Sequence, residues 1–222
     1  MDTTTDIFRH HTANSYGTSY ERYPINDHEI WEYHGSKIAV CDLTKALPKF
    51  MYSADMIYCD PPWTLGNVNM FNTKGGRERM SDFEEFIDPF FRHIGNINPK
   101  TCYIQAGLKT REIFTEKLQQ LQYPSIQYWF IKYYKKFPCI LIRGGQLPTT
   151  LDYDGYDDTE TPAIAIMNER PYVVGDLCAG RGLTGIAALE HGFRFVGTEL
   201  IKRKLAVFIE RADKKGYSFR PC

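Results

Sequence analysis

Short apolar runs alternate with amphipathic helical patterns along most of this chain, and that alternation constrains its fold more than any other feature. KIAVCD (37–42), DMIYCD (55–60), TCYIQAG (101–107), IQYWFIKYY (126–134), CILIRGG (139–145), YVVGDLC (172–178) and FRFVGTEL (193–200) read as strands. Between several of them lie helical patterns. SDFEEFIDPFFRHIG opens at Ser81 with Glu84 three residues on, a capping-box signature, and continues with apolar Phe83, Phe86, Ile87, Phe90 and Phe91. Pro89 is expected to bend or shorten that helix. TREIFTEKLQQLQY (110–123) gathers Ile113, Phe114, Leu118 and Leu121 on one face. IKRKLAVFIERADKKG spaces Ile201, Leu205, Phe208, Ile209 and Ala212 helically, with Gly216 as the stop. Strands alternating with helices imply an α/β fold with a mostly parallel sheet covered on both faces. Only KKFP separates 126–134 from 139–145, too little for a crossover, so this pair should be an antiparallel hairpin at the sheet edge.

At 222 residues the chain suits one domain. Residues 1–36 lack a clear period and are read as an N-terminal arm, with 37–222 as the domain. The segments 64–80 and 147–162 read as loops. The second, with five acidic and no basic residues, is expected to be exposed and mobile. Lys+Arg and Asp+Glu both number 27, which argues against a protein that coats polyanions, though not against a local basic groove. The six cysteines show no paired spacing, so no metal site is expected, and reduced, packed thiols fit better. No apolar stretch approaches membrane-spanning length, and the polar, acidic N-terminus is unlike a signal peptide, which points to the cytosol.

The segment YVVGDLCAGRGLTGIAALEHGFRFVGTEL carries the most chemistry. A strand ends at Asp176, a turn with Gly180 and Gly182 follows, and a helix begins near Thr184. A second strand then ends on Glu199. Glycines let the backbone approach a ligand, and an acid after the second strand can accept ribose hydroxyls. Gly180, Gly182 and Gly185 also satisfy GxGxxG, so a glycine turn of another nucleotide-binding α/β protein stays open. The second notable stretch is YCDPPW at Tyr58–Trp63, where two prolines end a strand on a carboxylate.

The run Asp176-Leu177-Cys178-Ala179-Gly180-Arg181-Gly182-Leu183-Thr184 is similar to the S-adenosylmethionine turn of amino-directed nucleic-acid methyltransferases. Asp60-Pro61-Pro62-Trp63 resembles their methyl-acceptor motif. Because the acceptor motif comes first, the chain resembles the circularly permuted, beta-type DNA amino-methyltransferases, at motif level over roughly residues 37–216. The resemblance implies a seven-stranded Rossmann-like sheet, permuted, with S-adenosyl-L-methionine as cofactor. Asp176, Cys178, Gly180, Gly182 and Thr184 would form the cofactor turn, Glu199 would hold the ribose and Asp42 would meet the adenine amino group. Asp60 and a backbone carbonyl of Pro61–Pro62 would accept the hydrogens of an exocyclic amine, and Trp63 would stack on the base. The expected reaction is direct methyl transfer to adenine N6 in DNA, with the base flipped out of the duplex.

The chain departs from the family in having Trp63 where Tyr is usual and ETP at Glu160–Pro162 in place of QKP. The interval 144–162 is also too short for a target-recognition domain. Sequence readout would then fall to the arm, the 64–80 loop or a partner subunit, the last including a second copy. Lys74, Arg77 and Arg79 could contact phosphates, as could Lys132, Lys135 and Lys136 interleaved with Tyr133, Tyr134 and Phe137. A solvated loop and a lysine-protected sheet edge explain the same charges equally well. RNA adenosine methylation is the alternative activity, and a non-catalytic, nucleic-acid-binding subunit the alternative class.

Overall fold

The computed structural model describes residues 17–222, and residues 1–16, the first part of the expected arm, lie outside the described residues. Every expected strand forms: β2 (Ser36–Val40), β3 (Met56–Cys59), β4 (Thr101–Ala106), β5 (Ser125–Tyr133), β6 (Phe137–Gly145), β7 (Val173–Asp176) and β8 (Arg194–Glu199). Two more join them, β1 (Ile30–Tyr33) and the short β9 (Arg220–Pro221), so the sheet has nine strands among the described residues rather than seven. Neither stands out in the sequence, because β1, IWEY, lies in a stretch without period and β9 is only two residues long. The order is β5-β6-β4-β3-β7-β8-β2-β1-β9. The central five strands, β4-β3-β7-β8-β2, are parallel, and antiparallel pairs flank them on both sides. The expected hairpin of β5 and β6 lies at one edge.

Alternation along the central strands explains why they read as continuous apolar runs. In β3, Met56 and Tyr58 enter one apolar cluster while Ile57 and Cys59 enter the other. Val174 and Val173 of β7 divide in the same way. Helices α5 (Thr161–Glu169), α6 (Leu183–Glu190) and α7 (Lys202–Asp213) cover the first face through Ile166, Ala187 and Phe208. Helices α3 (Glu84–Ile97) and α4 (Arg111–Gln120) cover the second through Phe90 and Phe114. A short α1 (Ser19–Arg22) precedes the sheet. No helix among the described residues is long and apolar enough to cross a membrane.

Three local expectations need correction. The segment 64–80 is not a loop, because Leu65–Lys74 forms a helix, α2, whose first turn is capped by the Thr64 hydroxyl accepting from Asn67 N–H at 3.3 Å. Its buried side includes Asn69 and Asn72, so a face that packs reads as polar. The start of α3 is capped one residue later than Ser81: Asp82 accepts from Glu85 N–H at 2.9 Å, and the Glu85 carboxylate returns to Ser81 N–H at 3.0 Å. Pro89 does not shorten α3, which runs on through it to Ile97 and ends at Asn98 with φ 53°.

The acidic stretch 147–162 is a largely exposed loop as far as Glu160, as expected, but it is tied down rather than free. It lies along the outer edge of β5. Asp154 accepts from Phe130 N–H at 2.6 Å, Asp158 from Tyr134 N–H at 3.0 Å, and Asp157 from Lys135 N–H. Lys132 N–H donates to Tyr156 O at 2.8 Å, and Asp158 N–H to Lys132 O at 2.8 Å. Tyr153, Asp157, Asp158 and Thr161 are all buried. An edge strand presents unpaired backbone donors, and here carboxylates and a strand-like segment satisfy them.

Candidate active site

In an open sheet of parallel strands the ligand crevice lies beyond their carboxyl ends. All five parallel strands deliver a polar side chain there: Asp42 after β2, Asp60 after β3, Gln105 near the end of β4, Asp176 on β7 and Glu199 on β8. They line one cavity of about 630 Å³, together with Pro61, Pro62, Trp63, Cys178, Gly180 and Thr184. That volume lies within the range of small-molecule sites, about 300–1,000 Å³. The two motifs meet because β3 and β7 are neighbours, with Met56 beside Val174 and Ile57 beside Gly175.

The turn after β7 is held from below by β8. Ala179 N–H donates to Thr198 O at 2.8 Å, and the Thr198 hydroxyl donates to Leu177 O at 2.9 Å. Asp176 accepts from Cys178 N–H at 2.9 Å. Glu199, 5% exposed, accepts from Gly180 N–H at 2.8 Å through one oxygen and from Ile201 N–H at 2.9 Å through the other. Each carboxylate oxygen keeps a further lone pair. Gly180 and Gly182 have φ of 55° and 81°, which lets the chain turn sharply into α6. Gly182 does not line the cavity. It packs on Phe208 of α7, where a Cβ would come within 2.1 Å of the ring.

At the other motif Trp63 has a job beyond offering a flat face. Its indole N–H donates to Asp60 Oδ1 at 3.0 Å, and its ring packs edge-on to Tyr133 at 4.9 Å. One carboxylate oxygen is thereby fixed. Burial pushes the Asp60 carboxyl up to about 7, the Trp63 bond opposes the rise, and the charges of Asp158 and Asp176 add to it. Asp176 is raised to about 7 by burial, against the Cys178 N–H bond. Asp158 is raised to about 6, again mainly by burial. Asp158 lines the cavity as well, a residue that its acidic, polar segment conceals. Gln105 is equally hidden in the sequence, since it sits inside a run that reads only as strand.

The expected nucleic-acid contacts separate from the cavity wall. Tyr133, Tyr134 and Phe137 line the cavity, but Lys132, Lys135 and Lys136 do not; all three are exposed, and Lys136 lies 5.5 Å from the Phe137 ring. Arg79 is exposed. Lys74 and Arg77 border a second depression with Asp27, Lys202 and Arg203. Arg77 also lies 3.6 Å from Asp42, which accepts from Thr44 N–H at 3.0 Å. Asp42 thus faces the cavity already tied to its own turn and to Arg77.

No protein-family model matches the chain, and no curated protein matches it in sequence. Its fold does match solved structures. M1.HpyAVI superposes with a TM-score of 0.54 at 16% identity, over 78% of this chain and 97% of that one. TTHA0409 from Thermus thermophilus, which carries the description "putative DNA modification methylase" and was solved with S-adenosyl-L-methionine, superposes at 0.56 and 20% identity, over 80% and 95% of the two chains. The cytosine-N4-specific PvuII DNA methyltransferase superposes at 0.54 and 11% identity, over 82% and 90%. The chain shares the fold of these three structures.

Proposed function

We propose that this chain transfers a methyl group from S-adenosyl-L-methionine to the exocyclic amine of adenine in DNA, N6, with the base turned out of the helix into the cavity. One observation carries the reading: the Asp60–Trp63 clamp and the Asp176–Gly182 turn stand at the ends of adjacent parallel strands and open into one cavity. The acceptor strand preceding the cofactor strand in the chain is consistent with the permuted arrangement.

The turn suits the cofactor: positive-φ glycines bring the backbone close, and buried Glu199 retains lone pairs for ribose hydroxyls. When bound, the cofactor supplies an electrophilic methyl on a positively charged sulfur. An aromatic amine is a poor nucleophile because its lone pair is delocalised into the ring. The free oxygen of Asp60 and a backbone carbonyl of the Pro61–Pro62 turn would accept its two hydrogens and hold the lone pair outward. Positive charge develops on nitrogen as the bond forms, and the nearby Asp60 carboxylate would stabilise it. The proton released afterwards has an acceptor in the same carboxylate. Prolines fix the carbonyl's direction, so little reorganisation is needed.

Cytosine N4 is the second reading, favoured by the similarity to the cytosine-N4-specific enzyme. Methyl transfer from tritiated S-adenosylmethionine to duplex DNA, single-stranded DNA and RNA, followed by nucleoside mass spectrometry, tests the assignment. N6-methyladenine in DNA is the expected product. N4-methylcytosine or methylated RNA would redirect the reading, and no transfer to any of the three would refute it.

Because Asp60 must be ionised, kcat/KM should rise with pH through about 7, the limb belonging jointly to the coupled carboxylates. Trp63→Phe removes the bond that favours the ionised form and should move that limb upward by about one pH unit, the equivalent of a ~1.4 kcal/mol hydrogen bond. An unmoved limb would mean that another group controls it.

A further inference from the structure

The geometry points to Gln105 as the residue that reads the Watson–Crick edge of the target base, donating from its side-chain amide to the ring nitrogen beside the amine. This deepens the reading above and rests on it, since it takes the occupant of the cavity to be an amino-bearing base. Gln105 is only 1% exposed, and its Nε2 has no hydrogen-bond partner among the described residues. A buried amide left unpaired costs about 1–3 kcal/mol, a cost tolerated where a ligand supplies the missing partner. Position agrees. Cys59 pairs with Ile104 in parallel register, so Asp60 and Gln105 are the next residues on adjacent strands. Both line the cavity, together with Asp158 and Tyr133.

The chemistry of the wall makes the role specific. Asp60 and Asp158 present carboxylates, which suit amine hydrogens and repel the lone pair of a ring nitrogen. Adenine carries such a lone pair at N1 beside N6, and cytosine carries one at N3 beside N4. An amide N–H satisfies either, whereas guanine and thymine present an N–H at the matching position. Gln105 is therefore a specificity-determining residue that selects for amino bases of this pattern.

The test uses random-sequence oligonucleotide pools, duplex and single-stranded, containing either adenine or 1-deazaadenine, in which N1 is replaced by C–H. If nucleoside analysis finds cytosine as the acceptor, 3-deazacytosine takes its place. The full chain is assayed with tritiated cofactor, and cofactor affinity is measured by calorimetry. Wild type should lose roughly 10–100-fold in kcat/KM on the deaza pool, the effect of removing one partner of a buried hydrogen bond. Gln105→Leu should lose a similar factor on adenine and nothing further on the deaza pool, with cofactor affinity unchanged. Gln105→Met, close in length and without a donor, should behave alike and guards against misfolding. Wild-type rates in both variants would overturn the inference, as would variants that remain sensitive to the deaza substitution. A wild type inert on every pool would instead refute the methyltransferase reading, and this inference with it.

Discussion

Asp60→Ala is expected to lower methyl transfer by roughly 10²–10³-fold or more, the range for removing a preorganised group from developing charge. Cofactor affinity should stay near wild type, because the turn is built on β7 and β8, whereas the Asp60 carboxylate is bonded to Trp63. A parallel loss of cofactor affinity would sink the assignment of Asp60 to the acceptor side. The same substitution should also change how stability depends on pH. A carboxyl raised from 3.8 to about 7 on folding takes up protons as the chain folds. Its charge costs nothing below pH ~4, where both states hold the proton, and the cost grows to its full value above pH ~7. That value is on the order of 2 kcal/mol, once access of cavity water to the carboxylate is allowed for. Wild type should therefore lose stability between pH 4 and 7 more steeply than the variant, as urea titrations at several pH values would show. Asp176 and Asp158, also raised, impose a residual slope of the same sign on both proteins. Asp60→Asn keeps an acceptor for the Trp63 N–H and should retain more activity than alanine. Equal losses would assign the effect to charge alone.

Gly182→Ala should be the most damaging small substitution in the cofactor turn. The residue has φ 81°, and an added Cβ would lie 2.1 Å from Cδ2 of Phe208. Phe208 cannot withdraw, since it is fully buried between Phe195 and Phe219, each with its ring centroid 5.6 Å away. Left-handed strain and overpacking each cost about 1–3 kcal/mol, so a loss of roughly 3–5 kcal/mol is expected, with cofactor binding lost as α6 is displaced. Gly180→Ala is the internal control. It shares the positive φ, but its Cβ would meet only Cys178 O, at 3.7 Å. It should cost about 1 kcal/mol. Thermal melts and calorimetry would separate the two, and similar losses in both variants would refute the part assigned to Phe208.

How far the sequence discloses this molecule depends on where its information lies. The parallel strands are legible because both faces of each are buried, so Met56–Cys59 and Val173–Asp176 are apolar almost throughout. The two motif turns are legible because proline and glycine constrain a backbone by themselves. Helix α2 is not, because Asn69 packs by exchanging hydrogen bonds with the Met80 backbone, at 3.1 and 2.6 Å, rather than by being apolar. Asp158 is concealed for a related reason: five acids in sixteen residues look like a solvated loop until backbone N–H groups of β5 and its turn are there to meet them. Gln105 carries no pattern at all, and its interest comes from what fails to touch it. The indole bond to Asp60 belongs with these, since a tryptophan three residues from a carboxylate does not announce which way its N–H points.

The strand order also sets a timetable for synthesis. β7 and β8 sit between β3 and β2, so Lys37 must find Val196 and Met56 must find Val174. A nascent chain that has released its first 170 residues has β2 and β3 in hand but nothing to join them. The middle of the sheet forms only when the last quarter emerges. Closing loops of more than 100 residues before β7 and β8 can join β3 to β2 makes folding slow and late. Until then the ribosome-bound chain exposes two apolar strand edges, the condition in which chaperone binding and misassembly compete with folding.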